Sequence, residues 1–94
     1  MTYIYAVHYV TDQHGCEVIG EVKTSNYLYS DQELRLSKQR VIQLINMGYR
    51  FKTKYKLSDS VYREGEDVRV VDNEYLRTDA NKKRADNLGY LPRY

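Results

Sequence analysis

From Tyr49 to Leu57 the chain alternates strictly. Phe51, Thr53, Tyr55 and Leu57 fall on one side of an extended backbone, and Arg50, Lys52, Lys54 and Lys56 fall on the other. Period two over this length argues for a strand, since like-facing residues of a helix recur every three or four positions. The pattern predicts a half-buried strand with a solvated, fully basic face. Such a strand needs other elements to cover its apolar side, and the neighbouring segments supply them.

Ser37 to Met47 reads as a helix. Ser37 can accept from the unpaired amides of the first turn, and Val41, Ile42, Leu44 and Ile45 recur at helical spacing. Gly48 stands where helices commonly end. Tyr3 to Val10 is rich in tyrosine and β-branched residues and reads as a strand. Tyr3, Tyr5, Val7 and Tyr9 share one of its faces, and Ile4, Ala6, His8 and Val10 share the other. Thr11 to Gly15 makes a turn, and Glu17 to Thr24 returns with Val18, Gly20 and Val22 on one face. Residues 25–36 are irregular, with Asp31-Gln32-Glu33 able to open a helical turn. Ser58 to Asp67 is a polar connection. Val68 to Val71 is a strand, Asp72-Asn73 a turn, and Tyr75 to Arg77 continues the sheet.

Ninety-four residues make one domain, since domains commonly hold about 100–150. The expected class is α+β: a small, mostly antiparallel sheet in ββ-α-ββ order, one helix packed on one face, and an ordered C-terminal tail. The hairpin spans 3–24, the helix 37–47, the strands 49–57 and 67–77, and the tail 78–94. No apolar run approaches the roughly 18–20 residues of a membrane span. No basic start followed by an apolar segment suggests export. The single cysteine, Cys16, forbids an internal disulfide and fits a reducing, cytoplasmic setting.

Net charge is +2, but it is segregated. Residues 35–57 carry seven bases and no acid, whereas residues 58–74 carry six acids against Arg63 and Arg69. Either the acidic blocks fold against the basic one and neutralise it, or a basic face is left for an anionic partner. His8, His14 and Cys16 are too few and too poorly spaced for a zinc site, and no metal or other cofactor is expected. Cys16 lacks an oriented base, the five glycines never cluster into a phosphate loop, and Glu64, Glu66 and Asp67 read as a solvated loop. No enzyme is indicated.

The C-terminal third carries a recognisable pattern. Tyr75-Leu76-Arg77-Thr78, Asp86-Asn87-Leu88 and Leu91-Pro92 resemble the closing "YLRT", "DNL" and "LP" motifs of a small family of uncharacterised bacterial and phage proteins, a domain of unknown function. Ile4 with Val7, Ile45 with Gly48, and Val68 with Val70 match its looser earlier positions. The segment 25–36 is longer, and Lys82-Lys83-Arg84 more basic, than in that pattern. The resemblance implies a fold and no activity. Chemically, the motif reads as a clasp: Arg77 takes a carboxylate from Asp79 or Asp86, Asp86-Asn87 starts a turn, and Leu88 and Leu91 dock on the sheet. Ligand binding by Arg77 and Asp86 is the competing reading.

Two functions suit these features. One is a non-enzymatic binding protein for nucleic acid or a nucleotide-type ligand. Arg50, Lys52, Lys54 and Lys56, with Lys82, Lys83 and Arg84, would bind phosphate, and some of the eleven tyrosines would stack on bases. The other is a protein-interaction module, such as a phage protein blocking a host factor, because tyrosine and arginine anchor interfaces. Strand edges at Tyr3–Val10 or Val68–Val71 could also pair two copies.

Overall fold

The computed structural model describes residues 1–79 and 83–94. Among these residues seven strands and one helix run in the order β1 (Thr2–Thr11), β2 (Glu17–Ser25), β3 (Leu34–Ser37), α1 (Lys38–Asn46), β4 (Phe51–Ser58), β5 (Val61–Asp67), β6 (Arg69–Val71) and β7 (Tyr75–Arg77). The first five strands form one sheet in the order β3-β2-β1-β4-β5, and β6 pairs with β7 in a separate two-stranded ribbon. The fold is a small α+β one with a mostly antiparallel sheet and one helix. Among the named strands the exception is the parallel pairing of β1 with β4. Parallel neighbours need a crossover, and the run through β2, β3 and α1 provides it.

This is a richer sheet than the simple ββ-α-ββ order. Asp31-Gln32-Glu33 opens no helical turn, and Leu34–Ser37 after it is an edge strand on β2. Val61–Asp67, read as a connection, is the opposite edge strand. Its sequence alternates poorly because an edge strand is held by its backbone ladder to β4 and by charge pairs across that ladder. The segment 67–77 does not extend the main sheet. Asp72 and Asn73 both take positive φ, 52° and 56°, which closes β6 and β7 into their own tight hairpin.

The core lies on one face of the sheet. Ile4, Val7, Ile19, Val22 and Phe51 pack there against Val41 and Ile42 of α1, with Leu76, Leu88 and Leu91. Strict alternation puts Ile4 and Val7 on opposite faces of β1, and Ile19 and Val22 on opposite faces of β2. The β1–β2 ladder slips between Ile4 and Ala6 and again between His8 and Tyr9. Each bulge inserts a residue and resets which side points inward, so both pairs reach the core. Ser37 caps α1, accepting from the Arg40 amide at 3.1 Å, and Gly48 follows with φ +98°. No described helix is long and apolar enough to cross a membrane.

The last residues enter the sheet. β4 follows β1 only along Thr2–Ile4; beyond that, Val7 donates to the Pro92 carbonyl at 2.8 Å and accepts from the Tyr94 amide at 3.1 Å. Thus β1 lies within the sheet and offers no edge to a second copy. Asp86 ties this end to the rest. One carboxylate oxygen accepts from the Leu76 amide at 2.8 Å; the other accepts from the Ile19 amide and the Lys38 ammonium, both at 2.9 Å. Its side chain is 2 % exposed. Asn87 hydrogen-bonds along β7 through its backbone, and its side chain accepts from Gly89. Each residue of the Asp-Asn-Leu motif therefore has a structural task.

Removing one member of a buried charge pair leaves the other uncompensated, at a cost of about 3–5 kcal/mol. Asp86→Ala strands Lys38 and two amides together. Chemical denaturation should show a loss of that size, whereas a change below about 1 kcal/mol would deny the carboxylate its organising role.

Candidate functional site

Lys52, Lys54 and Lys56 do lie on one face of β4, with Arg50 just before it, but they are not all open to solvent as the alternation suggested: only Arg50 and Lys56 are exposed, Lys52 is half-buried and Lys54 buried. Register explains the difference. β5 pairs Lys52 with Asp67 and Lys54 with Glu64, so acids from the next charge block stand beside these two bases. Lys52 hydrogen-bonds Glu64, and Arg50 meets Asp67 at 3.2 Å. Lys56 lies 3.7 Å from both Asp31 and Asp59. Lys54 is completely buried. Its ammonium donates to the carbonyls of Tyr27, Leu28 and Ser30 at 3.0, 3.1 and 2.8 Å, and sits 3.7 Å from the centre of the Tyr62 ring and 5.2 Å from that of Tyr5. Carbonyl dipoles and aromatic faces both favour a cation. Burial still holds the Lys54 pKa below the ordinary lysine value, while hydrogen bonding to Glu64 raises that of Lys52.

Lys54 thereby fastens the loop after β2 over the second face of the sheet. Asp31 fixes the loop's far end, accepting from Tyr62 at 2.6 Å and Ser60 at 2.7 Å. Those two donors hold its carboxyl at about 2, below the usual aspartate value. Tyr5 adds a bond to the Gln32 carbonyl. These charges are used to build the fold.

The remaining sequence candidates are dispersed. Lys82 lies outside the described residues. Lys83 is exposed, and Arg84 reaches the β6–β7 turn, 3.1 Å from Asp72 and 3.8 Å from Glu74. Arg77 is 4 % exposed and grips both oxygens of Asp79 at 2.9 Å, with a further bond to the Ala85 carbonyl. Its carboxylate is Asp79, while Asp86 binds elsewhere. Leu88 and Leu91 are buried. Cys16 is exposed on the β1–β2 turn, and the His8 ring is bonded to the Tyr94 carbonyl. Among the described residues no three His, Cys, Asp or Glu side chains converge on a metal position.

A different constellation forms at the outer strand. Tyr55, Arg63, Gly65, Glu66 and Tyr90, with Glu64, line a cleft of about 450 Å³. A bulge creates it. Lys54 pairs with Glu64 and Lys52 with Asp67, so Gly65 and Glu66 together oppose Thr53. A Cβ on Gly65 would lie 2.2 Å from the Thr53 hydroxyl and 2.8 Å from the Tyr55 ring, and one on Gly89 would lie 3.0 Å from the Tyr55 hydroxyl. Gly65 therefore lets the Tyr55 ring approach the β5 backbone, and Gly89 lets the chain pass close to the Tyr55 hydroxyl. The Arg63 guanidinium lies 5.7 Å from that ring's centre, and Tyr90 is 99 % exposed beside it. The sequence reading missed this site because it placed Arg63 to Glu66 in a loop. The available signal was Gly65, since an isolated glycine in a strand often marks a bulge or close approach.

Residues 3–92 match the family described as "protein of unknown function (DUF3892)", and the chain belongs to that family. No curated protein and no solved structure matches it.

Because the Asp31 pKa is depressed by bonds present only in the fold, its contribution to stability is complete above about pH 4 and declines as pH falls toward 2. The melting temperatures of the parent and Asp31→Asn should differ at pH 6 and converge near pH 2; a gap independent of pH would refute the assignment. Lys54→Met keeps the bulk but removes the donor from three carbonyls, which costs roughly 1–3 kcal/mol per acceptor left without water or a substitute. Amide exchange in residues 26–33 should accelerate more than in β1, and uniform exchange would show that the ammonium does not hold the loop.

Proposed function

We propose that this member of the DUF3892 family is a non-enzymatic protein-interaction module that engages its partner along the β5 edge. The observation that carries this reading is the cleft itself: two tyrosines and an arginine grouped beside an edge strand. Tyr, Arg and Trp dominate interface hot spots; Tyr offers a large rigid area for two rotors, and Arg offers a planar fork of donors. An edge strand adds unpaired backbone donors and acceptors that a partner can complete. Tyr55 is pre-positioned by its glycine neighbours, which lowers the ordering cost of binding.

A nucleic acid or nucleotide-type ligand would meet a less favourable surface. At Arg50, Lys52 and Lys56 it would compete with carboxylates already seated on those bases, and Lys54 is inaccessible.

The test compares variants of the full chain as bait. The parent should retain a protein, this chain included, that Arg63→Glu and Tyr90→Ala lose and Lys52→Ala keeps. Loss of one hot-spot anchor weakens binding by roughly 2 kcal/mol or more. Co-purifying nucleic acid that Lys52→Ala releases and Arg63→Glu retains would replace this reading with the anionic one. Identical capture by all variants would remove β5 from consideration.

A further inference from the structure

Two charges on β5 have no ion partner among the described residues. Lys52 takes Glu64 and Arg50 takes Asp67, which leaves Arg63 and Glu66. They have opposite sign and lie three positions apart. In a regular strand that spacing would put them on opposite faces. The Gly65–Glu66 bulge changes this, and both side chains line the same cleft on the same side of the outermost strand. Both are exposed.

Resting on the β5-edge reading above, we propose that the partner is a second copy of this chain, paired antiparallel through β5 about a two-fold axis between residues 64 and 65. A strand that satisfies both charges must carry an acid and a base at the same spacing in reverse order. The chain provides that pattern itself. The two-fold sets Arg63 opposite the partner's Glu66 and Glu66 opposite the partner's Arg63, so one register satisfies four charges. Such isologous pairing is the usual route to a dimer. Directly opposed charges are near enough to interact, and like charges at those positions repel. The Tyr55 and Tyr90 rings flank the seam and would be covered by it. The other edge, β3, is only four residues long and its Arg35 is already held by Glu33.

Sedimentation equilibrium of the full chain, up to roughly millimolar protein, tests this. The parent should form a dimer in a concentration-dependent manner. Arg63→Glu places acids at both positions and Glu66→Arg places bases at both. Each variant alone should weaken self-association by about tenfold or more. An equimolar mixture should recover it, because acids then face bases at both ends of the seam. Thermal melts confirm that both variants are folded, as expected for exposed sites. A parent that stays monomeric, reversals without effect, or a mixture that stays monomeric would each overturn the proposal. If the parent is monomeric while Arg63→Glu still abolishes capture of another protein, only the identity of the partner is wrong and the β5 reading stands.

Discussion

A single carboxylate joins the parts of this molecule that the chain's order keeps apart. Asp86 accepts from the β2 backbone, the β7 backbone and the Lys38 ammonium at the start of α1. A charge excluded from water is tolerated only when its lone pairs are occupied. The position of Asp86 therefore dictates where the small ribbon and the first turn of the helix can lie on the large sheet. Leu88 then enters the core two residues later, and Leu91 follows it. The closing segment is a structural component of the sheet, since Pro92 and Tyr94 pair with Val7 where β4 has left β1.

The second face of the sheet is organised by the opposite charge. Lys54 could not remain buried without its three carbonyls and two tyrosine rings, and those carbonyls exist only because the loop after β2 folds back over β4. Charge segregation along the chain thus serves assembly. Within the basic block between residues 35 and 57, Arg35, Arg50, Lys52 and Lys56 meet acids of the flanking blocks, Lys38 meets Asp86 and Lys54 meets carbonyls, and among the described residues no buried side-chain nitrogen or oxygen lacks a partner. What remains unpaired on β5 is small and specific, and it sits beside the cleft lined by Tyr55 and Tyr90.

Much of the local structure could be read directly from the sequence. The helix, its Ser37 cap and Gly48 terminator, the first hairpin, and the placement of Phe51 and Thr53 inside with lysines on the other side all follow from periodicity and capping chemistry. The errors have a common cause. Bulges in β1 and β5 insert single residues that shift the phase, so Val7 and Glu66 point where a strict alternation would not put them. Edge strand β5 lacks an alternating apolar face, and β3 alternates over only four residues, Leu34 to Ser37, too few to stand out. The clasp was legible in part: Leu88 and Leu91 as anchors, and Arg77 forked onto Asp79, with Asp86 engaged elsewhere.

The sequence alone determined the helix with its caps and the extended state of β1, β2 and β4, because those properties depend on neighbours a few residues away. Tertiary structure decided which charges are spent and which are left, because that depends on sheet order and register. Lys54 meets Tyr27 to Ser30, Asp86 meets Ile19, and Lys52 meets Glu64 only after the chain has crossed over. Coulombic and hydrogen-bond energies fall off over a few ångströms in space, and a linear pattern of signs does not contain those distances.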